Sequence, residues 1–568
     1  MVKELSLYDI LGEERKQLQE EGKLPHWVTT LAWQMLQEKY LSPEYPDLES
    51  VYRRISSHAA RYTSNQVLWE NKFFDLLWKG YLAASTPVLS NMGTGYGCPV
   101  SCSGGYIPDS VHGFYSSQVE AAVLSKNGFG TSGYLGDIRQ RGATIQGVKG
   151  GASGVLPVFK DFVQVSRDIS QGSQRRGAWA GYIAIDHPDF YELVNYISKN
   201  PDDANIGWNI SDAFIERLES SDKDAIERYQ KALKLKMISG KGYFFFIDRV
   251  NRQNPQMYKD KGLDVKASNL CTEITLHSSE DYTFSCVLSS MNASLYDEWK
   301  DTDAVFDATV FLDCVNQDLI AIGKNEPGME KVAKFAEASR ALGLGMLGFH
   351  TYLQDHMIAF ESMEAYYKNT EIFQHLKQES LRASQWMAKE FGEPEWCEGY
   401  GVRNTHTIAI APNLSSALIC GSVSQGIEPI YKNAYVQNTS AGKMERVNPS
   451  LLKVMKDRNV YTPEAVKDII KNNGSVQHVD WLNDDEKAVF KTAFEIDQKQ
   501  IIRLASARQR YIDQAQSINL FFSADENEEY ISEVHKMAFT DKWIKSLYYI
   551  RSESGVNVNK ESCIACHG

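Results

Sequence analysis

The fold class follows from the segment that starts with GYIAIDHP (181–188) and ends with KGYFFFIDR (241–249). Both ends are short apolar or β-branched runs bounded by Gly, Pro or charged residues, a pattern typical of buried strands. Between them, residues 212–237 carry apolar side chains at helical spacing. A strand, a helix and a second strand in this order indicate an α/β protein.

The same alternation extends outward along the chain. Strand-like runs also occur in STPVLSN (85–91), FSCVLSSMN (284–292) and HTIAIAPN (406–413). Further helices are predicted at Phe306–Gly323, Lys334–Leu353 and Thr370–Phe391. Before residue 82 the apolar spacing is helical throughout. We therefore predict a helical N-terminal region (1–82), an α/β domain (83–550) and a polar, Gly/Asn/Ser-rich C-terminal tail (551–568).

Composition excludes several classes of protein. The chain has 568 residues, with 60 Lys and Arg against 73 Asp and Glu, and a formal net charge of −13. Such an acidic surface repels phosphate backbones and anionic lipids, so we expect no nucleic-acid partner and no membrane binding. The longest apolar runs, such as 341–349, are far shorter than the ~18 residues of a membrane span. Residues 1–20 lack the apolar core of a signal peptide, so a cytoplasmic location is expected.

The segment SNLCTEITL (268–276) combines an amide, a thiol and a carboxylate. If it is extended, Asn269, Cys271 and Glu273 share one face, and mostly apolar side chains share the other. A thiol beside a base suits a reaction in which a sulfur reacts while a substrate proton is removed. The alternative is a half-buried strand in which Cys271 is a small hydrophobic residue. The pattern alone leaves both interpretations open.

The other cysteines extend this hypothesis. Nine cysteines in a long chain without an export signal do not indicate a disulfide scaffold. Cys286 lies in a strand-like run, and Cys102 lies in GCPVSCSGGY (97–106), a Gly/Ser-rich stretch where backbone can approach a ligand. A buried, inert thiol is the alternative for either. Cys98 and Cys102 could form half of a zinc site, but a closed site needs four ligands and no second Cys/His pair is near in sequence, so we predict no metal site.

The chain ends in CIACHG (563–568), which matches the C-x-x-C-H string of covalent haem attachment. Haem attachment would require an export signal and a fold that covers the ring. We favour a dithiol on a mobile arm, because Cys563 and Cys566 can exchange with a buried disulfide and then with an external reductant. Shortly before the tail, Tyr548 and Tyr549 form an adjacent pair, whose commonest role is aromatic core.

These residues belong to a larger, ordered set of motifs. In chain order they are STPVLSN (85–91), SCSGG (101–105), KNGFGTSGYLGDIRQRG (126–142), SQGSQRRGAWAGY (170–182), NLCTE (269–273), FSCVLS (284–289), RNTHTIAIAPNLSSAL (403–418), GIEP (426–429), RQRYIDQAQSINLF (508–521), LYY (547–549) and the terminal cysteine pair. The set resembles the large, catalytic (α) subunit of class I ribonucleotide reductase from about Ser85 almost to the last residue. The resemblance implies a ten-stranded α/β barrel of two half-barrels with a central finger loop, preceded by a small helical domain.

The resemblance also assigns roles in the reduction of ribonucleoside diphosphates to their 2′-deoxy forms. Cys271 is similar to the thiyl radical site that removes the 3′ hydrogen, Glu273 to the base for the 3′-hydroxyl, and Asn269 to its hydrogen-bonding partner. The remaining roles are those of the dithiol that delivers two electrons (Cys102 and Cys286), the dithiol that regenerates it (Cys563 and Cys566), and the tyrosines that pass the oxidising equivalent to Cys271 (Tyr548 and Tyr549).

Nucleotide contacts are implied in the same way. The substrate residues implied are Thr86, Ser101, Asn269, Glu273, Asn413, Leu414, Ser415 and Ser416. The residues implied at a dNTP or ATP specificity-effector site and its relay loop are Asp109, Ser110, Val111, Arg139, Gln146, Gln171 and Arg175. Three residues depart from the family pattern: Asn413 and Leu414 stand where small hydroxyl residues are frequent, and Gln146 falls near a second basic position.

The resemblance further implies partners. The chain itself is expected to hold no cofactor, because a separate β subunit with a metal cofactor generates the radical. Thioredoxin or glutaredoxin is expected as the reductant, and the α subunit is expected to be a homodimer. No room is left before the helical segment KLPHWVTTLAWQM (23–35) for an N-terminal ATP-cone, so dATP is not expected to switch the enzyme off through one.

Two rival functions stay open at this point. An adenosylcobalamin-dependent (class II) reductase would share the NLCTE core, although the tyrosine pair would have no purpose if a cobalamin generated the thiyl radical in place. An inactive nucleotide-binding regulator could retain the fold, although the complete set of thiols argues against it.

Overall fold

The structure is a computed structural model that describes residues 7–169, 177–203, 205–439 and 442–552. Its first elements are four helices, α1 (Leu7–Glu20), α2 (Thr30–Lys39), α3 (Leu48–Ala60) and α4 (Gln66–Trp78). Three of them begin at a polar residue whose side chain accepts a backbone N–H from the first turn, namely Thr29, Asp47 and Asn65. The predicted helical N-terminal domain is therefore present.

The next part of the chain alternates strands and helices. Its elements are β1 (Leu82–Ala84), α5 (Thr86–Asn91), β2 (Cys102–Tyr106), α6 (Val111–Lys126), β3 (Thr131–Tyr134), α7 (Val155–Asp168), β4 (Trp179–Ala184), α8 (Phe190–Lys199), β5 (Asn205–Ile210), α9 (Asp212–Glu219), α10 (Lys223–Ser239), β6 (Tyr243–Phe246), α11 (Ile247–Arg252) and α12 (Gln256–Lys261). Strands β2, β3, β4, β5 and β6 pair in this order, all parallel. They form the first half of a barrel.

The elements of the second half are β7 (Phe284–Asn292), α13 (Tyr296–Trp299), α14 (Ala304–Gly323), α15 (Glu330–Ser339), β8 (Leu342–Leu347), α16 (Phe349–Asp355), α17 (Met363–Phe391), α18 (Leu414–Ile419), β9 (Ala434–Thr439), β10 (Gly442–Val447), α19 (Pro449–Asp457), α20 (Pro463–Lys471), α21 (Asp484–Val489), α22 (Gln498–Gln509), β11 (Leu520–Phe522), α23 (Glu528–Thr540), β12 (Ser546–Leu547) and β13 (Ile550–Ser552). Two 3₁₀ turns lie at Ala293–Leu295 and Glu395–Cys397.

The barrel closes through two antiparallel junctions. Strand β7 is parallel to β8, and parallel bridges continue the ladder through Leu344–Ile408 and Ile410–Gln516. Strand β12 lies next to the segment around residue 516, because the N–H of Tyr548, the residue after β12, donates to the Ile518 carbonyl at 2.8 Å. The junctions are β2 against β7 and β6 against β12. With the bridged segments around Ile408 and Gln516 counted beside β7, β8 and β12, the second half also has five staves. Five in each half make ten, which confirms the barrel of two half-barrels.

The centre of the barrel is filled by a loop. Residues 267–276 contain no helix or strand, yet all are buried. Backbone N–H and C=O groups buried in this way must find partners. This segment, here called the finger loop, confirms the predicted central loop.

Some predicted elements were wrong in detail. The helix predicted over 212–237 is broken between α9 and α10, where Asp222 caps the second helix. The helix predicted over 334–353 contains β8, because an apolar run fits either period and Gly343 allows the close approach of β7. STPVLSN forms helix α5 with Pro87 in its first turn. Among the described residues, every helix is either too short or too polar to span a lipid bilayer.

Candidate active site

The finger loop places Cys271 at a tight turn instead of on a strand. The Thr272 N–H donates to the Asn269 carbonyl at 3.4 Å, and Thr272 has φ 69°. β-Branched residues rarely adopt this conformation, so the surroundings must hold it in place. The extended conformation considered for residues 268–276 is therefore wrong. The turn brings together the side chains that an extended segment would have aligned on one face.

Side chains from three parts of the barrel satisfy the loop backbone. Within the loop, the Ser268 hydroxyl donates to the Ile274 carbonyl at 2.6 Å. From β4, the Tyr182 hydroxyl donates to the Asn269 carbonyl at 2.6 Å. From β12, the Ser546 hydroxyl donates to the Thr272 carbonyl at 3.1 Å. These bonds explain how a structureless segment remains inside a packed barrel.

Asn269 and Glu273 meet across the turn. Asn269 Nδ2 donates to Glu273 Oε1 at 2.9 Å and lies 3.5 Å from Cys102 Sγ. Asn269 Oδ1 accepts the Ile274 N–H at 3.3 Å, which fixes the orientation of the amide. The predicted amide–carboxylate pair is thus formed, and it contacts one of the predicted dithiol sulfurs.

Cys102 and Cys286 lie directly opposite each other on β2 and β7. Both are buried, as is Cys271, and the three thiols belong to one buried cluster. Burial raises the pKa of the Cys286 thiol well above its usual value; the hydrogen bond from Gln514 opposes this shift, and the nearby Cys102 and Glu273 add to it. Cys98 lies elsewhere, where the Asn91 amide donates to its carbonyl at 2.8 Å.

The tyrosine pair Tyr548 and Tyr549 contacts Cys271 through the hydroxyl of Tyr548. The Tyr548 hydroxyl donates to Cys271 Sγ at 3.4 Å, and the ring centroids of Tyr548 and Tyr549 are 3.9 Å apart. Tyr243 of β6 packs on both rings, and its hydroxyl lies 3.3 Å from that of Tyr549. Tyr548 is buried and Tyr549 is half-buried, so the pair leads from the barrel interior towards the surface.

Sequence reasoning missed the residues that support the finger loop from behind. The Ser517 hydroxyl lies within hydrogen-bond distance of the Cys271 carbonyl and, at 3.0 Å, of Glu273 Oε2. Gln514 accepts the Thr275 N–H at 3.1 Å, and the Ala515 N–H donates to the Glu273 carbonyl at 2.8 Å. The signal available was the motif RQRYIDQAQSINLF, in which polar Gln514, Gln516 and Ser517 lie among apolar residues of a buried segment.

The predicted substrate residues gather around two short helices. Thr86 begins α5, and the Tyr40 hydroxyl lies 3.5 Å from its Oγ1. Helix α18 packs against β1, where the Ser416 hydroxyl lies 3.5 Å from the Ala84 carbonyl. Asn413 precedes α18 with φ 56°, and its amide donates to backbone carbonyls. Leu414 begins α18, Ser415 follows it, and Ser101 Oγ lies 3.7 Å from Cys102 Sγ.

The predicted effector residues lie at the start of α6 and in the loop after β3. Asp109 accepts from Arg139 Nε at 2.6 Å, and Arg139 also donates to the Thr144 carbonyl. Ser110 caps α6, where its hydroxyl accepts the Gly113 N–H at 2.9 Å. Val111 and Gln146 are exposed. Gln171, Arg175, Cys563 and Cys566 lie outside the described residues.

Comparison with known proteins identifies relatives along the whole barrel. The family described as ribonucleotide reductase, all-alpha domain, matches residues 26–97. The family described as ribonucleotide reductase, barrel domain, matches residues 100–227, 224–399 and 395–550. The putative ribonucleoside-diphosphate reductase large subunit of Frog virus 3 (isolate Goorha) is 36% identical over 577 residues, covering 95% of this chain and 99% of the viral protein.

Two further relatives bear on the class of enzyme. The solved structure of the Actinobacillus ureae class Id ribonucleotide reductase alpha subunit matches with a TM-score of 0.87 and 39% identity, covering 93% of this chain and 98% of that one. The vitamin B12-dependent ribonucleoside-diphosphate reductase of Thermoplasma acidophilum is 29% identical over 521 residues, covering 85% of this chain and 65% of that protein.

Proposed function

This chain belongs to the ribonucleotide reductase large-subunit family, and we propose that it reduces ribonucleoside diphosphates to 2′-deoxyribonucleoside diphosphates by a thiyl-radical reaction. The observation that carries the proposal is the arrangement around Cys271. Its sulfur accepts a hydrogen bond from Tyr548, and the same buried cluster contains the opposed thiols Cys102 and Cys286. A radical site, a route to it and a two-electron donor are thereby adjacent.

The proposed first step uses the finger loop. The oxidising equivalent reaches Cys271 through the tyrosine pair and removes the hydrogen atom of its thiol. The resulting thiyl takes the 3′ hydrogen of the ribose. Glu273 accepts the 3′-hydroxyl proton, and the Asn269 amide holds the receiving carboxylate in place. The thiol hydrogen is weakly bound, so Cys271 can return the hydrogen at the end of the reaction.

The proposed second step uses the opposed thiols. The 2′-hydroxyl leaves as water, C2′ gains a hydrogen, and Cys102 and Cys286 lose their two S–H hydrogens and form an S–S bond. Their positions on paired strands support this step, because sulfurs on directly opposite residues can bond without separating the strands. We propose that Cys563 and Cys566 exchange with that disulfide and pass the electrons on from an external dithiol protein such as thioredoxin or glutaredoxin.

The remaining assignments are part of the same proposal. Thr86, Ser101 and residues 413–416 would bind substrate, with the phosphates near the starts of α5 and α18. The effector site would comprise Asp109, Ser110, Val111, Arg139 and Gln146, with Gln171 and Arg175 as the relay to the substrate. The domain division at residues 82/83 and 550/551, predicted from apolar spacing and composition, is part of the same proposal.

The source of the radical separates class I from class II. The class Id relative and the adjacent tyrosine pair favour a radical delivered by a separate β subunit over one generated by adenosylcobalamin. We expect turnover of a ribonucleoside diphosphate when a class I β subunit is added, and none with adenosylcobalamin alone. Turnover with cobalamin alone would reverse the choice of class.

The central test is the variant Cys271→Ser. Its hydroxyl is nearly the size of the thiol but holds its hydrogen too strongly to form the radical, so turnover is expected to disappear while nucleotide binding remains. Cys314→Ser is the matched control, because Cys314 is also buried but lies on α14 outside the thiol cluster. Turnover by Cys271→Ser at the rate of the control would refute the radical-cysteine assignment.

A further inference from the structure

Gln514 joins the Cys286 thiol to the finger loop through one side chain. Its Nε2 lies 3.3 Å from Cys286 Sγ and donates to the Leu342 carbonyl at 2.9 Å, while its Oε1 accepts the Thr275 N–H at 3.1 Å. The residue is fully buried. A single amide therefore contacts a thiol of the proposed reducing pair and the loop that carries Cys271.

The orientation of this amide is fixed by its partners. The two N–H groups of the amide point at the Cys286 sulfur and the Leu342 carbonyl, so both hydrogens are used. The amide oxygen accepts the Thr275 N–H. A flipped amide would direct its oxygen at the Leu342 carbonyl and its NH₂ group at the Thr275 N–H, so two good bonds would become repulsive. The Gln514 backbone is fixed as well, because its carbonyl accepts from Lys545 Nζ at 2.9 Å and its N–H donates to the Ile408 carbonyl at 3.1 Å.

The Cys286 sulfur also lies close to the backbone of β8. A Cβ atom built on Gly343 of β8 would lie 2.8 Å from Cys286 Sγ and 2.5 Å from a Leu288 methyl group. Real Cβ atoms do not approach so closely, so β8 can pass here only with a glycine at this position. The close backbone of β8 thus restricts the positions that the Cys286 sulfur can take.

We propose that Gln514 is a positioning residue of the reducing dithiol: its amide holds the Cys286 sulfur as a hydrogen-bond acceptor, which turns the thiol hydrogen away from Gln514 and stabilises the thiolate that forms during exchange. The inference rests on the proposed function of Cys102 and Cys286 as that dithiol. The inference adds that one side chain, that of Gln514, holds both the finger loop and the dithiol in place.

The step on which Gln514 acts most directly is re-reduction of the disulfide. An external dithiol attacks as a thiolate and is itself oxidised to a disulfide, the Cys102–Cys286 bond breaks, and each released sulfur takes up a proton. A leaving thiolate departs faster when it is stabilised. A neutral N–H donor provides that stabilisation in a site where burial opposes charge.

The test measures this exchange in the full-length chain. The dithiol is oxidised with diamide, and the Cys102–Cys286 disulfide is mapped by mass spectrometry. Its reduction by dithiothreitol is then measured over time by quenching samples and alkylating the free thiols. Gln514→Met removes the amide at similar length. Gln514→Glu keeps an acceptor for the Thr275 N–H but removes the donor to the sulfur and to the Leu342 carbonyl. It gives a second variant if the first does not fold.

Gln498 offers a matched control. It is also buried, its Nε2 donates to the Ala493 and Ile496 carbonyls, and its Oε1 accepts the Phe521 N–H at 2.7 Å. Gln498→Met therefore removes the same kinds of bond without contact to a thiol. Both Gln514 variants are expected to slow reduction about three- to tenfold, as loss of one hydrogen bond to a developing charge predicts. Gln498→Met is expected to lower thermal stability but keep the wild-type exchange rate.

The outcomes separate the two proposals. If the wild-type disulfide forms and the folded Gln514 variants exchange as fast as wild type, the role of Gln514 is refuted while the dithiol assignment stands. If Gln498→Met slows exchange as much as Gln514→Met, the effect is general destabilisation and the positioning role is refuted. If no Cys102–Cys286 disulfide forms in the wild type, the reducing dithiol itself is wrong.

Discussion

Tyr548 is the residue through which the proposed radical must enter the barrel. Its hydroxyl is the donor to Cys271 Sγ, and its ring contacts the rings of Tyr243 and Tyr549. Tyr548→Phe keeps the ring and removes only the hydroxyl, so the fold should persist and turnover with a β subunit should fall at least about a thousandfold, or about 4 kcal/mol in the barrier.

Tyr258 provides the control for that measurement. It is also buried in the same cluster, but its ring packs on Trp396 and His406 and not on Tyr243, Tyr548 or Tyr549. Tyr258→Phe should leave turnover within a few-fold of wild type, with both variants checked by circular dichroism. Near-normal turnover by Tyr548→Phe would show that the radical does not travel through this hydroxyl.

Lys236 makes stability depend on pH near neutrality. It is fully buried on α10, its Nζ donates to the Tyr548 carbonyl, and burial lowers its pKa from 10.5 to about 7. Because the folded chain gives up this proton at lower pH than the unfolded chain, the wild type gains stability as pH rises above 7. Relative to Lys236→Met, the gain between pH 7 and pH 9 should be at most about 2–3 kcal/mol.

Differential scanning calorimetry at the two pH values measures this as a change in the Tm difference between wild type and Lys236→Met. Lys234→Met is the control, because Lys234 is exposed on the same helix and should give a Tm difference that is independent of pH. A Tm difference for Lys236→Met that also stays constant would mean that this lysine keeps its proton over the whole range.

At the scale of elements, the sequence predicted which residues meet but not the backbone that brings them together. Alternation correctly grouped Asn269, Cys271 and Glu273, yet the observed unit is a turn with Thr272 at φ 69°. The reason is that a strand needs neighbours for its backbone, and inside the barrel those partners are side chains from distant positions such as Tyr182, Ser517 and Ser546. Such partners cannot be read from local spacing.

Strand β8 lies in a segment that the sequence predicted to be helical, and packing requires a glycine at position 343 of this strand. A side chain at Gly343 would collide with Leu288 and the Cys286 sulfur. Gly343→Ala should destabilise the fold by about 1–3 kcal/mol and lower turnover by displacing Cys286. At Gly105 of β2 a Cβ would meet only ordinary contacts at 3.7 Å, so Gly105→Ala should be tolerated. Equal Tm and turnover for the two variants would contradict this packing argument.

At the scale of the whole molecule, strand–helix alternation predicts the α/β class, and the order of motifs predicts the barrel. Closure of the barrel could not be derived from the residues alone. It depends on the pairing of β6 with β12, about 300 residues later in the chain, and on bridges at Ile408 and Gln516 in segments too short to register as strands. Non-local pairing of this kind leaves no periodic signal.

The expected homodimer can be tested on α6. Val111, Tyr115 and Val119 recur every four residues along one face and are 72%, 59% and 62% exposed, an apolar stripe that a lone chain would leave in water. Because this helix begins at the proposed effector residues, its pairing with a second copy would place two effector sites at one interface. Tyr115→Glu should shift the chain from dimer to monomer in size-exclusion chromatography with light scattering, and effector response should fall with it. Val67→Glu, at a residue 74% exposed on α4, should leave the dimer intact; an unchanged dimer in Tyr115→Glu would exclude α6 as the interface.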